Sequence, residues 1–157
     1  MSVCVVHRDG WAVCDSRINN GAVGIVPGKC DKAFIAYGTL ITCVGDGIVD
    51  QVVRKIAECH PEAELIHAIV EYLSSDEPDG GILLTNRARE LILLGSDGCK
   101  INMEDDLDYW VIGCADNLVN GYIKGVSKGR VATPEDAVEA VVWASRYDSG
   151  IDSRAKV

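Results

Sequence analysis

Three stretches in the first third of the chain hold residues able to do chemistry: Asp15-Ser16-Arg17, Lys32, and Val44-Gly45-Asp46-Gly47. The first closes an apolar stretch, the second stands directly before one, and the third lies where an apolar strand gives way to a helical pattern. A carboxylate and an ammonium in such surroundings attract each other. The start of a helix presents backbone N–H groups that lack intrahelical partners and favour negative charge. The plainest reading of Asp15 and Lys32 is a buried ion pair that serves the fold, with Gly45 as a helix-start glycine. Each piece alone is common, so their order and spacing carry the weight.

The elements that must position them follow from pattern. Residues 2–6 read as a strand, His7-Arg8-Asp9-Gly10 as a turn whose Asp-Gly pair favours a tight hairpin, and Trp11 to Cys14 as the return strand. Gly21 to Gly28 is a glycine-rich connection. Strands are expected over 33–37 and 40–44, then a helix from about Gly47 to Cys59 with Asp46 as its N-cap. Pro61 opens a second helix whose buried stripe is Leu65, Ile66, Ile69, Val70 and Leu73. Strands are expected at 82–85, 90–94 and 109–112, and a third helix starts within Gly113-Cys114-Ala115-Asp116. Thr133, Pro134 and Asp136 give the last helix a capping signature, and a polar tail runs from Asp148 to Val157. Strands and helices grouped in this way indicate α+β architecture. One domain over residues 1–157 is expected.

Bulk properties exclude several classes. The formal charge of −9 argues against nucleic acid as a main partner. No apolar run is long enough to span a bilayer, and no signal-peptide pattern is present, so a cytoplasmic setting is the default expectation. The acidic runs at 76–79 and 104–108 read as solvated loops, since neither has the ligand spacing of a calcium loop. Seven cysteines and three histidines show no zinc spacing and no C-x-x-C. Reduced, structural thiols are expected.

In this order of elements and residues the chain resembles the proteasome β-subunit and its bacterial relative, the HslV-type protease subunit, both N-terminal-nucleophile hydrolases. The resemblance spans nearly the whole chain and is strongest over residues 10–50. It implies a four-layer α-β-β-α sandwich. It also implies that the first residue of the mature chain is the nucleophile and that its own α-amine, with a pKa of about 7.7–8.0, is the general base. A lysine eases deprotonation, an aspartate holds that lysine, and a glycine N–H receives the oxyanion. Carried over, Asp15 matches the lysine-orienting aspartate, Arg17 the arginine two residues later, Lys32 the catalytic lysine and Gly45 the oxyanion glycine. Cys114 stands where the family carries serine. Asp148-Ser149-Gly150 matches a C-terminal Asp and Ser-Gly pair with compressed spacing, so either Asp148 or Ser149 can be matched, but not both.

The nucleophile implied is Ser2, exposed once Met1 is removed. The span from Ser2 to Asp15 is three residues shorter than in the family, and from Met1 two shorter. Removing an even number of residues from a hairpin preserves which side chains face each other, and an odd number flips one strand. Strict register therefore places Met1, not Ser2, at the catalytic position, and a retained Met1 leaves Ser2 with an amide in place of its amine. The preferred expectation is a proteasome-like subunit with a structural or assembly role and a relict site. The alternative is a self-compartmentalised N-terminal serine peptidase, and a small-molecule amide hydrolase on the same fold is a third. The resemblance implies a homo-oligomeric ring. No cofactor or metal, no nucleic acid and no membrane are expected as partners; a peptide substrate belongs to the active version, and the sequence names no ATPase partner.

Overall fold

The computed structural model describes residues 2–15, 18–20, 24–26, 32–147 and 155–156. Strands β1 (Val3–His7) and β2 (Trp11–Asp15) form a hairpin closed by Arg8, Asp9 and Gly10. Gly10 takes φ +84° and donates its N–H to the His7 carbonyl at 3.0 Å, a turn that a side chain at this position would strain. Short β3 (Ile18–Asn20) and β4 (Gly24–Val26) pair with each other.

The second sheet begins with β5 (Ala33–Ala36) and β6 (Thr39–Gly45), and continues with β7 (Gly80–Thr85), β8 (Leu91–Leu94) and β9 (Lys100–Asn102) in sequential antiparallel order. The first sheet is completed by β10 (Tyr109–Gly113) beside β1 and β11 (Ala155–Lys156) beside β2. Four helices lie among the described residues: α1 (Gly47–Cys59), α2 (Glu62–Asp76), α3 (Asp116–Ser127) and α4 (Pro134–Ala144).

Alternation along the strands sorts the apolar residues into three cores. Val3, Val5, Val13 and Val111 pack against Val119 and Ile123 of α3 and Ala140 and Val141 of α4. Ile41, Cys43, Ile82, Leu84 and Ile92 pack against Val49 and Val53 of α1 and Ile69 and Leu73 of α2. Between the sheets lie Cys4, Val6, Ala12, Cys14, Val44, Leu83, Leu91 and Ile112. The architecture is thus α+β, with four layers ordered α-β-β-α, as expected.

Local differences have physical causes. Asp46 occupies the N-cap of α1 without a side-chain cap bond, and its own N–H donates to the Asp79 carbonyl at 2.8 Å. Gly113 remains in β10, and α3 starts only after Ala115, which is left-handed at φ 58°. Thr133 and Asp136 form the full capping box of α4, and Arg130 on Asp136 holds that carboxyl well below the usual carboxylate range. Part of the glycine-rich connection is strand β4, and part of the polar tail is strand β11.

The hairpin turn is fastened from within. Arg8 is 8% exposed, and its guanidinium donates to the carbonyls of Leu107, Glu104, Met103 and Arg89. Next to it His7 is 1% exposed and stacks on Trp11 with ring centroids 4.7 Å apart. Its Nδ1 accepts the Asp9 N–H at 3.0 Å, which puts the proton of the neutral ring on the buried Nε2.

Burial pushes the His7 pKa below 6.5, against the opposing pull of Asp9 and Asp108. Below about pH 6.5 the unfolded chain then binds a proton that the folded chain resists. The stability due to neutral His7 is full above that pH and is lost as pH falls toward the depressed folded value. The slope is at most about 1.4 kcal/mol per pH unit. Urea midpoints at pH 7.5 and 5.0 should fall further for wild type than for His7→Phe; equal falls would exclude His7 as a source of acid lability.

Candidate functional site

Asp15 ends β2 in one sheet and Lys32 leads into β5 in the other, so their ion pair ties the sheets together. Lys32 Nζ lies 2.6 Å from Asp15 Oδ1, and the two side chains are 6% and 0% exposed. The same oxygen accepts the Val3 backbone N–H at 2.9 Å. One carboxylate oxygen thus holds both the lysine and the first strand. The Lys32 carbonyl in turn accepts the Cys43 N–H at 2.9 Å, which anchors the base of the lysine to β6 two residues before Gly45.

Gly45 is required by close approach. It takes φ +111°, and a Cβ there would lie 2.1 Å from the Asp79 oxygen and 2.4 Å from Gly80 Cα. The Val44 carbonyl is directed at β7, since a Cβ on Gly80 would come within 2.3 Å of its oxygen. The peptide is trans, so the Gly45 N–H points the opposite way, toward the β5 side from which Lys32 enters. A backbone donor left pointing out of the ladder in this way is of the kind that can stabilise a developing negative charge.

The start of the chain is seated against β10. The Ser2 carbonyl accepts the Cys114 N–H at 2.9 Å, and Ser2 is 5% exposed. Gly113 makes this possible: at φ +109°, a Cβ would stand 1.8 Å from the Ser2 oxygen. Cys114 contributes its main chain here, while its side chain packs against the α3–α4 core.

Of the residues singled out in the sequence, the structure brings Asp15 and Lys32 into contact, aims the Gly45 N–H toward the side of Lys32, and joins Ser2 to Cys114. Arg17, Asp148 and Ser149 lie outside the described residues. Sequence reasoning missed Val3, whose N–H shares the Asp15 oxygen, and the space-making roles of Gly80 and Gly113. The hairpin register could have found Val3, because a ladder pairing Cys4 with Cys14 puts Val3 opposite Asp15. Among the described residues no group of three or more His, Cys, Asp or Glu could hold a metal ion, and no helix is long and apolar enough to cross a membrane.

Two facing antiparallel sheets between helix pairs, with an Asp–Lys pair at the strand ends beside the N-terminus, define the proteasome-subunit form of the N-terminal-nucleophile hydrolase fold. Solved structures of that form superpose on nearly the entire chain. Eukaryotic HslV from Trypanosoma brucei matches with TM-score 0.71 at 14% identity, covering 98% of this chain and 96% of its own. Thiobacillus denitrificans BPH, solved in complex with epoxomicin, matches with TM-score 0.73 at 11% identity, covering 99% and 96%. Anbu, an ancestral β-subunit from Yersinia bercovieri, matches with TM-score 0.70 at 14% identity, covering 99% and 80%. At these identities the likeness is one of fold. No family model matches the chain, and no curated protein sequence does.

Proposed function

We propose that this chain is a proteasome-like subunit that assembles with copies of itself and serves a structural or assembly role, its nucleophile site relict. The observation that carries the reading is the state of Ser2. Directly before β1 it is buried, 5% exposed, with its carbonyl tied to the Cys114 N–H. The hairpin runs in strict register from His7–Trp11 to Cys4–Cys14. Continued outward to Ser2, the alternation groups it with Cys4 and Val6. An N-terminal nucleophile needs a free amine beside its hydroxyl, and a retained Met1 leaves Ser2 with an amide in that place.

A second reading keeps the enzyme: Ser2 becomes the nucleophile after Met1 is removed, with Lys32, Asp15 and Gly45 in the roles their geometry allows. The buried Asp15–Lys32 ion pair and the Gly45 N–H aimed at the β5 side favour it. Intact mass and epoxomicin, the ligand of the BPH complex, separate the two. A chain that keeps Met1 and forms no adduct is expected. A chain beginning at Ser2 that gains the mass of epoxomicin, with the gain abolished in Ser2→Ala, would overturn the relict reading. Sedimentation of the same sample should show a closed oligomer; a monomer at micromolar concentration would count against a subunit role.

A further inference from the structure

Cys4 of β1 and Cys14 of β2 stand directly opposite each other in the hairpin. Opposed residues of an antiparallel ladder are about 5.5 Å apart at Cα when they exchange hydrogen bonds and about 4.5 Å when they do not. The other edge of β1 shows which kind this is. The Arg8 N–H donates to Asp108, and the Ser2 carbonyl accepts from Cys114, so even-numbered residues of β1 aim their polar groups at β10. Odd-numbered ones face β2, as the Val3 N–H on Asp15 does. Cys4 and Cys14 are therefore a non-hydrogen-bonded pair, whose spacing falls within the about 4.4–6.8 Å that a disulfide spans.

Both side chains enter the space between the sheets, and the two thiols are within hydrogen-bonding reach of each other. Cys4 is fully buried and Cys14 is 6% exposed. Cys14, the less enclosed of the two, is the sulfur that an oxidant meets first. Cys43, the other buried thiol among the described residues, faces the α1–α2 layer instead.

We propose that Cys4 and Cys14 are a modification site: a thiol pair that hydrogen peroxide converts to a cross-strand disulfide, locking the N-terminal hairpin beside Asp15. Peroxide is small enough to reach a sulfur this enclosed. The Cys14 sulfur takes one oxygen from it to become a sulfenic acid, and water leaves. The Cys4 sulfur then attacks Cys14 Sγ, the S–S bond forms as the S–O bond breaks, and the departing hydroxyl leaves with the Cys4 proton as a second water. The two thiols lose two electrons, and one peroxide gains them. The step is independent of whether the neighbouring site is catalytic.

The folded chain is treated with hydrogen peroxide, then unfolded, alkylated without reductant and digested with trypsin. The expected product links the peptide ending at Arg8 to the peptide spanning 9–17, and dithiothreitol separates them. The closed loop is short, and the oxidised form should melt roughly 5–10 °C higher than the reduced form. Neither the link nor the rise should occur in Cys14→Ala. Alkylation of both Cys4 and Cys14 in treated wild type, or a bond from either to a different cysteine, would overturn the proposal, and this mapping needs no variant to fold.

Discussion

Arg8→Ala is expected to lower the unfolding free energy by about 3–5 kcal/mol, which for a chain of this size moves the melting temperature down by roughly 10 °C. The guanidinium presents five donors in a planar fork, and here that fork serves four backbone carbonyls from two loops. Leu107, Glu104 and Met103 belong to the β9–β10 connection and Arg89 to the β7–β8 connection, so one side chain pins the hairpin turn to both. The backbone of Arg8 adds to this, donating to Asp108 at 2.8 Å and accepting from Thr85 Oγ1 at 3.4 Å. Truncation removes hydrogen bonds from a charged donor and leaves carbonyls that only partly regain water, because the site is 8% exposed. Arg8→Lys should restore only a minor part, since a point ammonium cannot span the four acceptors. Denaturant unfolding of the three proteins checks this; a loss under about 1 kcal/mol for Arg8→Ala would show that the loops close without it.

None of that was visible in the sequence, where Arg8 reads as a charged residue in a turn. Its partners are main-chain carbonyls some 80 to 100 positions away, and carbonyls leave no mark in a sequence. The layers were legible because alternation in β1, β2 and β6 and the 3.6-residue period in α1 and α2 each report a local property. Thr133 and Asp136 were legible for the same reason, the capping box being complete within four residues. Asp46 shows where local reading stops: it stands at the N-cap its type suits, yet no side-chain cap bond forms there. Strand β9 carries three exposed residues with no alternation, and β11 is two residues long, so neither had a pattern to read. At the site, the types and order of Asp15, Lys32 and Gly45 could be read, and so could the register. What could not be read was that Val3 shares the Asp15 oxygen, or that Gly113 is a glycine for the sake of the Ser2 carbonyl.

The ion pair itself yields the other large effect. Lys32→Met removes the Lys32 ammonium from the buried Asp15 carboxylate, and loss of one partner from a buried pair costs about 3–5 kcal/mol. Asp15→Asn combined with Lys32→Met removes both charges while keeping an oxygen for the Val3 N–H and a side chain of similar length for the lysine. That double variant should return to within about 1 kcal/mol of wild type, because well-packed neutral replacements of a buried pair cost little. If its loss equalled the sum of the single losses, the pair would not be acting as a unit. The same variant separates fold from chemistry. A relict subunit would regain stability and assembly together in the double variant. A peptidase relying on the Lys32 charge would regain its stability and its oligomer but not its reaction with epoxomicin.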